Sequence, residues 1–178
     1  MAIIKPNNNT ISAITALPAA ISTGKILQVV NTIKTDAFSV SLTDSNTANV
    51  TGLSVAITPS SSSNKILVNA QFNSTNSAGA WQYFYISRGG AIGVGDQHGS
   101  NRKRRTTFIS PYNADTNDNG SLQILDAPSS TSELTYQLVI SNGSGSTNTF
   151  KINQNDSSDI TSRASFVSTI TAMEIAGW

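Results

Sequence analysis

Apolar and polar residues alternate with a period of two over much of this chain, and that period predicts strands rather than helices. Leu53, Val55 and Ile57 take one side of a segment whose other side is Ser54, Ala56 and Thr58. Near the end, Phe166, Ser168, Ile170 and Ala172 oppose Val167, Thr169, Thr171 and Met173. Further strands are expected over residues 25–34, 65–73, 81–88, 105–109, 121–126, 134–141 and 149–153, with 53–58 and 164–174 completing the set. Most are bounded by Gly, Pro, Asn, Asp or Ser, the residues that suit turns. About nine short strands with no helical pattern between them predict an all-β antiparallel sandwich over residues 25–178.

Residues 1–24 obey another period. Ile11, Ile14, Leu17 and Ile21 recur every three or four positions, as on a helix face, but Pro18 interrupts any helix there. This segment is expected to be an arm, extended or briefly helical, whose four apolar anchors dock on a neighbouring protein.

The most aromatic segment is Trp81-Gln82-Tyr83-Phe84-Tyr85-Ile86. Alternation puts Trp81, Tyr83 and Tyr85 on one face and Phe84 and Ile86 on the other. One face can meet the opposite sheet. The other needs a cover, so Trp81, Tyr83 and Tyr85 are expected to form a subunit interface.

Composition sharpens this picture. Of 178 residues, 38% are hydrophobic and only 12% charged, with a net charge of +1. Charged residues usually make up about 25% of a chain. Ser, Thr and Asn take their place, which suits turns, strands and packing in an assembly, because few long side chains must be immobilised. There is no cysteine, so neither a disulfide nor a thiolate metal site is expected, and oligomerisation is the natural substitute. No run approaches the ~20 apolar residues of a membrane span. Residues 1–10 lack an apolar core, so no secretory signal is expected either.

Candidate chemistry is sparse. His98, the only histidine, sits in a turn-like loop and suits a solvated position better than a catalytic one. Ser22 and Lys25, and Ser62 and Lys65, have Ser-x-x-Lys spacing, but both lysines open expected strands, where a helix would be needed. Asp115, Asn117 and Asn119, with Asp126 at the twelfth position, approximate a calcium loop, although an Asn/Asp/Gly turn explains the same residues. No cofactor is expected. Arg102, Lys103, Arg104 and Arg105 form a basic cluster suited to an anionic partner. The near-neutral chain argues against nucleic acid.

Several blocks resemble a domain of tailed-bacteriophage virion proteins. They are Gly24-Lys25-Ile26-Leu27-Gln28-Val29-Val30, Thr51-Gly52-Leu53-Ser54-Val55-Ala56-Ile57-Thr58-Pro59-Ser60 and Asn64-Lys65-Ile66-Leu67-Val68. Later blocks agree, at Leu125-Asp126-Ala127-Pro128, Thr135-Tyr136 and Ser168-Thr169-Ile170-Thr171-Ala172-Met173-Glu174-Ile175. The resemblance spans about residues 24–176. It implies a homotrimeric jelly roll of the C1q and tumour-necrosis-factor type, carried on the exterior of a phage particle. The implied function is a non-enzymatic short fibre or head fibre, docked by residues 1–24 to other virion proteins and adhering to host polysaccharide. A capsid decoration protein is the alternative, and a carbohydrate-binding module is a second one from another class. Glycan cleavage needs a pair of carboxylates, and Glu133 and Glu174, the only glutamates, suggest none.

Overall fold

The computed structural model describes residues 25–77, 79–96, 98–100, 103–112, 116–155 and 164–177. The expected arm, with Ile11, Ile14, Leu17 and Ile21, lies outside the described residues. Eleven strands appear among them, and no helix. They are β1 (Ile26–Lys34), β2 (Phe38–Leu42), β3 (Thr47–Ile57), β4 (Lys65–Asn76), β5 (Gln82–Ser87), β6 (Ala91–Ile92), β7 (Thr107–Ile109), β8 (Asp118–Asp126), β9 (Leu134–Asn142), β10 (Asn148–Ile152) and β11 (Ser168–Ile175).

All pairings are antiparallel and build two sheets. The first runs β1-β11-β4-β10-β2, with β8 also on β4. Ser74 pairs with both Asp118 and Ile152, so β8 lies on one edge of β4 and β10 on the other, the edge that β11 shares. β10 and β11 therefore follow one another along β4, and β2 follows β1 along their outer side. The second sheet runs β3-β9-β5, with β6 and β7 both on the far edge of β5. Most of the chain's connections pass from one sheet to the other.

Period-two patterning decides what lies between the sheets. Ile66, Val68, Ala70 and Phe72 of β4 face inward and are buried. Leu53, Val55 and Ile57 meet them from β3, and Tyr136, Leu138 and Ile140 from β9. Phe72 and Phe84 touch across the core, their ring centroids 4.3 Å apart. Gly120 makes room for that pair, because a Cβ there would overlap the Phe72 ring and Ile109. The antiparallel sandwich expected from the alternation is what forms.

Three differences from expectation have local causes. β2 is short, and its inward Phe38, Val40 and Leu42 only just establish the period. β6 is two residues long, too brief to carry one. β3 begins at Thr47 rather than residue 53, because three extra residues bulge out between the Asn49–Val139 and Ser54–Gln137 pairs. Gln137 holds the bulge by donating its amide Nε2 to the carbonyls of Val50 (2.8 Å) and Leu53 (3.0 Å). Gly52 supplies the left-handed backbone there, at φ +85°.

One polar joint ties β8 and β9 to the residue that follows β5. Tyr136 is fully buried and donates its hydroxyl to Asp126 Oδ2 at 2.8 Å. Arg88 Nε also stands 2.7 Å from Oδ2, an ionic contact in which the Nε–H is poorly aligned to donate. Burial and the neighbouring carboxylate both push the phenol well above its ordinary range. Replacing Tyr136 with Phe should cost about 1.5–3 kcal/mol, the worth of a hydrogen bond to a charged acceptor. A urea titration at neutral pH checks it, with no change in midpoint counting against the joint.

Candidate functional site

β5 divides its aromatic residues as its alternation demands. Phe84 and Ile86 are fully buried between the sheets, while Tyr83 and Tyr85 lie on the outer face. Trp81 just precedes the strand and is 53% exposed. β7 brings Phe108 opposite Tyr83, with ring centroids 5.6 Å apart. Phe108 is 51% exposed and meets Trp81 edge-on at 6.3 Å. The result is an aromatic ridge on the outside of the second sheet. Gly143 permits it, since a Cβ there would collide with the Tyr83 ring.

The basic cluster folds onto the same face. Arg105 places its guanidinium carbon 5.1 Å from the Tyr85 ring centroid, a cation–π contact. It also donates Nη2 to Ser141 Oγ at 3.0 Å. Lys103 reaches Asp44 Oδ1 at 3.1 Å and the carbonyl of Asn142 at 3.2 Å. Residues 93–95 are stitched to residues 104–106 by Gly95 N–H to the Arg105 carbonyl, Arg104 Nε to the Gly95 carbonyl and Thr106 Oγ1 to the Gly93 carbonyl. Thr106 N–H then donates to Phe84. Lys103, Arg104 and Arg105 thus form a strap across the sheet.

This changes the expectation of one four-residue anionic contact. Lys103 has its acidic partner within the chain, and Arg105 is engaged by Tyr85 and Ser141 while its Nε–H has no acceptor among the described residues. Arg104 is exposed and has no acidic partner among the described residues. Arg102 lies outside them. Asp44 is held down to about 2 by the Ser45 hydroxyl first, then the Gly145 N–H and Lys103.

Two hollows flank the ridge. One, of about 290 Å³, is bounded by Gly79, Ala80, Trp81, Gly143, Ser144, Ser146 and Asn148. The other, of about 360 Å³, is bounded by Tyr83, Lys103, Arg105, Thr106, Thr107 and Phe108. Compared with protein-family models and with curated proteins, the chain matches none.

The remaining sequence candidates do not assemble. Asn119 and Asp126 stand on one strand seven residues apart, roughly 23 Å along it. Asp126 is also engaged by Arg88 and Tyr136, so it cannot close a calcium loop with Asn117 and Asn119; Asp115 is outside the described residues. The extended strand, which separates residues that a loop would gather, overturns that reading. His98 is exposed on its loop. Lys65 opens a strand, without the helix that Ser62-x-x-Lys65 chemistry needs.

Alternation alone also missed a carboxylate site. Glu174 is 1% exposed, at the inward phase of β11. Its Oε1 accepts from Ser60 N–H (2.6 Å), Ser60 Oγ (2.8 Å) and Asn64 Nδ2 (2.5 Å), and its Oε2 from Gln28 Nε2 (2.7 Å). Burial would raise this carboxyl, but the hydrogen bonds from Asn64, Gln28 and Ser60 outweigh it and hold the group down at about 2.

Proposed function

We propose that this chain is a homotrimeric surface protein of a tailed-phage particle, a short fibre docked through residues 1–24 whose sandwich head adheres to the host. The strand order supports the jelly-roll reading: β1, β11, β4 and β8 form one four-strand layer and β3, β9, β5 and β7 the other, and of these eight strands only β5 and β7 follow one another within a layer. The observation that carries self-association lies on the outer face of the first sheet. Val29, Met173, Leu67 and Leu125 stand side by side across four strands. Val29 is 56% and Leu125 52% exposed, and Ile26, Leu27 and Ile33 add further exposed apolar surface along β1.

An apolar row that wide is rarely left to water on a monomer. The next row, Asn31, Thr171, Asn69 and Gln123, carries amides and a hydroxyl that both donate and accept, so it can pair with the polar groups that a neighbouring copy presents. Neither row carries a charged side chain, and depletion of charge is the compositional mark of an interface core. This leaves Trp81, Tyr83 and Tyr85, the sequence's own interface candidates, on a second surface.

Sedimentation tests the reading. The purified chain should run as a trimer, and Leu125→Lys with Val29→Lys should run as monomers. A wild-type monomer overturns it. On the particle, a truncation lacking residues 1–24 should fold yet fail to be incorporated, and normal incorporation would remove the docking role. A copy number far above that of a fibre would favour capsid decoration instead.

A further inference from the structure

The aromatic ridge is too exposed and too well built to be ordinary surface. Trp81 and Phe108 each leave about half of a large ring in water, and their mutual packing with Tyr83 fixes both rings in place. Rigid exposed aromatic rings offer apolar faces for stacking without a large entropic cost on binding.

The flanking hollows say what could stack there. A protein partner's apolar core would want a wholly apolar floor, but here hydroxyls and an amide are interleaved with the aromatic rings. Ser144, Ser146 and Asn148 line one hollow, and Thr106 and Thr107 the other. Such short donor–acceptor groups match a ligand with an apolar ring face and a rim of hydroxyls. Each hollow is of small-molecule size.

Charge adds the third element. Arg105 borders the second hollow, and its guanidinium retains a buried Nε–H with no acceptor among the described residues. Buried donors without acceptors are uncommon, and a bound anionic oxygen is the kind of group that answers one. Arg104, the preceding residue, is exposed, donates Nε to the Gly95 carbonyl and has no acidic partner among the described residues, so it adds positive charge near the hollow without lining it.

We propose that the outer face of the second sheet is a binding groove for an acidic polysaccharide. One sugar ring stacks on Trp81 in the neutral hollow. The next packs on Phe108 in the basic hollow, its acidic group toward Arg105, with Arg104 adding attraction at longer range. This deepens the adhesion reading and rests on it, but the chemistry is local to the folded chain.

Electrophoresis of the purified full-length protein through native gels tests the groove. The gels contain alginate, hyaluronate, dextran sulfate or neutral dextran. Retardation is expected with at least one acidic polymer and not with dextran. Trp81→Ala and Phe108→Ala should each raise the polymer concentration for half-retardation at least ten-fold, with thermal midpoints and sedimentation unchanged. Arg104→Gln should weaken retardation by acidic polymer and flatten its dependence on salt. Failure with all three acidic polymers overturns the proposal. So does retardation that survives loss of either ring, which would mark diffuse attraction to positive charge. Altered sedimentation in Trp81→Ala would assign the face to a second copy of the chain instead. The readout uses purified protein, so the groove can fail while the particle assignment stands, and the reverse.

Discussion

Truncating Phe84 to alanine is expected to cost about 4 kcal/mol and to lower the thermal midpoint by about 10 °C at fixed protein concentration. The size follows from where the ring sits. Phe84 is fully buried on β5 and meets Phe72 of the facing sheet at 4.3 Å, so one truncation removes contacts from both layers. The site has little scope to collapse. Phe72 is held against the glycine backbone of β8, and the flanking Ile86 and Ile140 belong to strands whose register is fixed by paired neighbours. A cavity that cannot close adds its own cost to the lost transfer energy. Phe84→Leu, which refills most of the volume, should recover more than half of the loss. Differential scanning calorimetry decides it. A shift below 3 °C for the alanine variant would mean that the two sheets are not locked through this pair.

Glu174 should give the second large effect, and the one with a pH signature. Alanine there removes the acceptor that Gln28, Asn64 and the Ser60 N–H and hydroxyl share, leaving Gln28 only the Thr58 carbonyl and Asn64 only the Ser60 hydroxyl, which should cost about 3 kcal/mol at pH 7. The folded carboxyl titrates at about 2, below its ordinary value of 4.5. A lowered folded value means that the stabilisation is fully present above pH ~4.5 and is lost as pH falls from there toward 2. Urea midpoints of the wild type should therefore decline over that window. Glu174→Gln keeps one acceptor oxygen, loses less than alanine at pH 7, and should lack this portion of the acid decline. Parallel curves for wild type and Glu174→Gln between pH 5 and 3 would show that the carboxylate is not the titrating group.

The two cases differ in how far they could be read before folding. The two-faced character of the Trp81 segment was plain from alternation, and so was the inward phase of Phe84, though not the identity of the ring it would meet. Glu174 was legible only as an anomaly, a charge at the inward phase of Ser168, Ile170 and Ala172. Its four donors come from residues 28, 60 and 64, more than a hundred positions away, and only the packing of β1 and the β3–β4 turn on β11 assembles them. The basic cluster was visible as composition. Its conversion into a strap over Tyr85 was not, because a cation–π contact between Arg105 and a strand twenty residues earlier leaves no periodic trace.

What the sequence determined by itself was local: which segments are strands, which side of each is apolar, and where Gly and Asn allow turns. These follow from a period-two backbone and from φ preferences that act over a few residues. What only the tertiary structure decided was adjacency. Strand order set Val29, Met173, Leu67 and Leu125 in one row, folded Lys103 to Arg105 onto the aromatic ridge, and kept Asp126 away from Asn119 on a straight strand. Pairing partners are chosen by the free energy of closing both sheets at once, so no single segment encodes them.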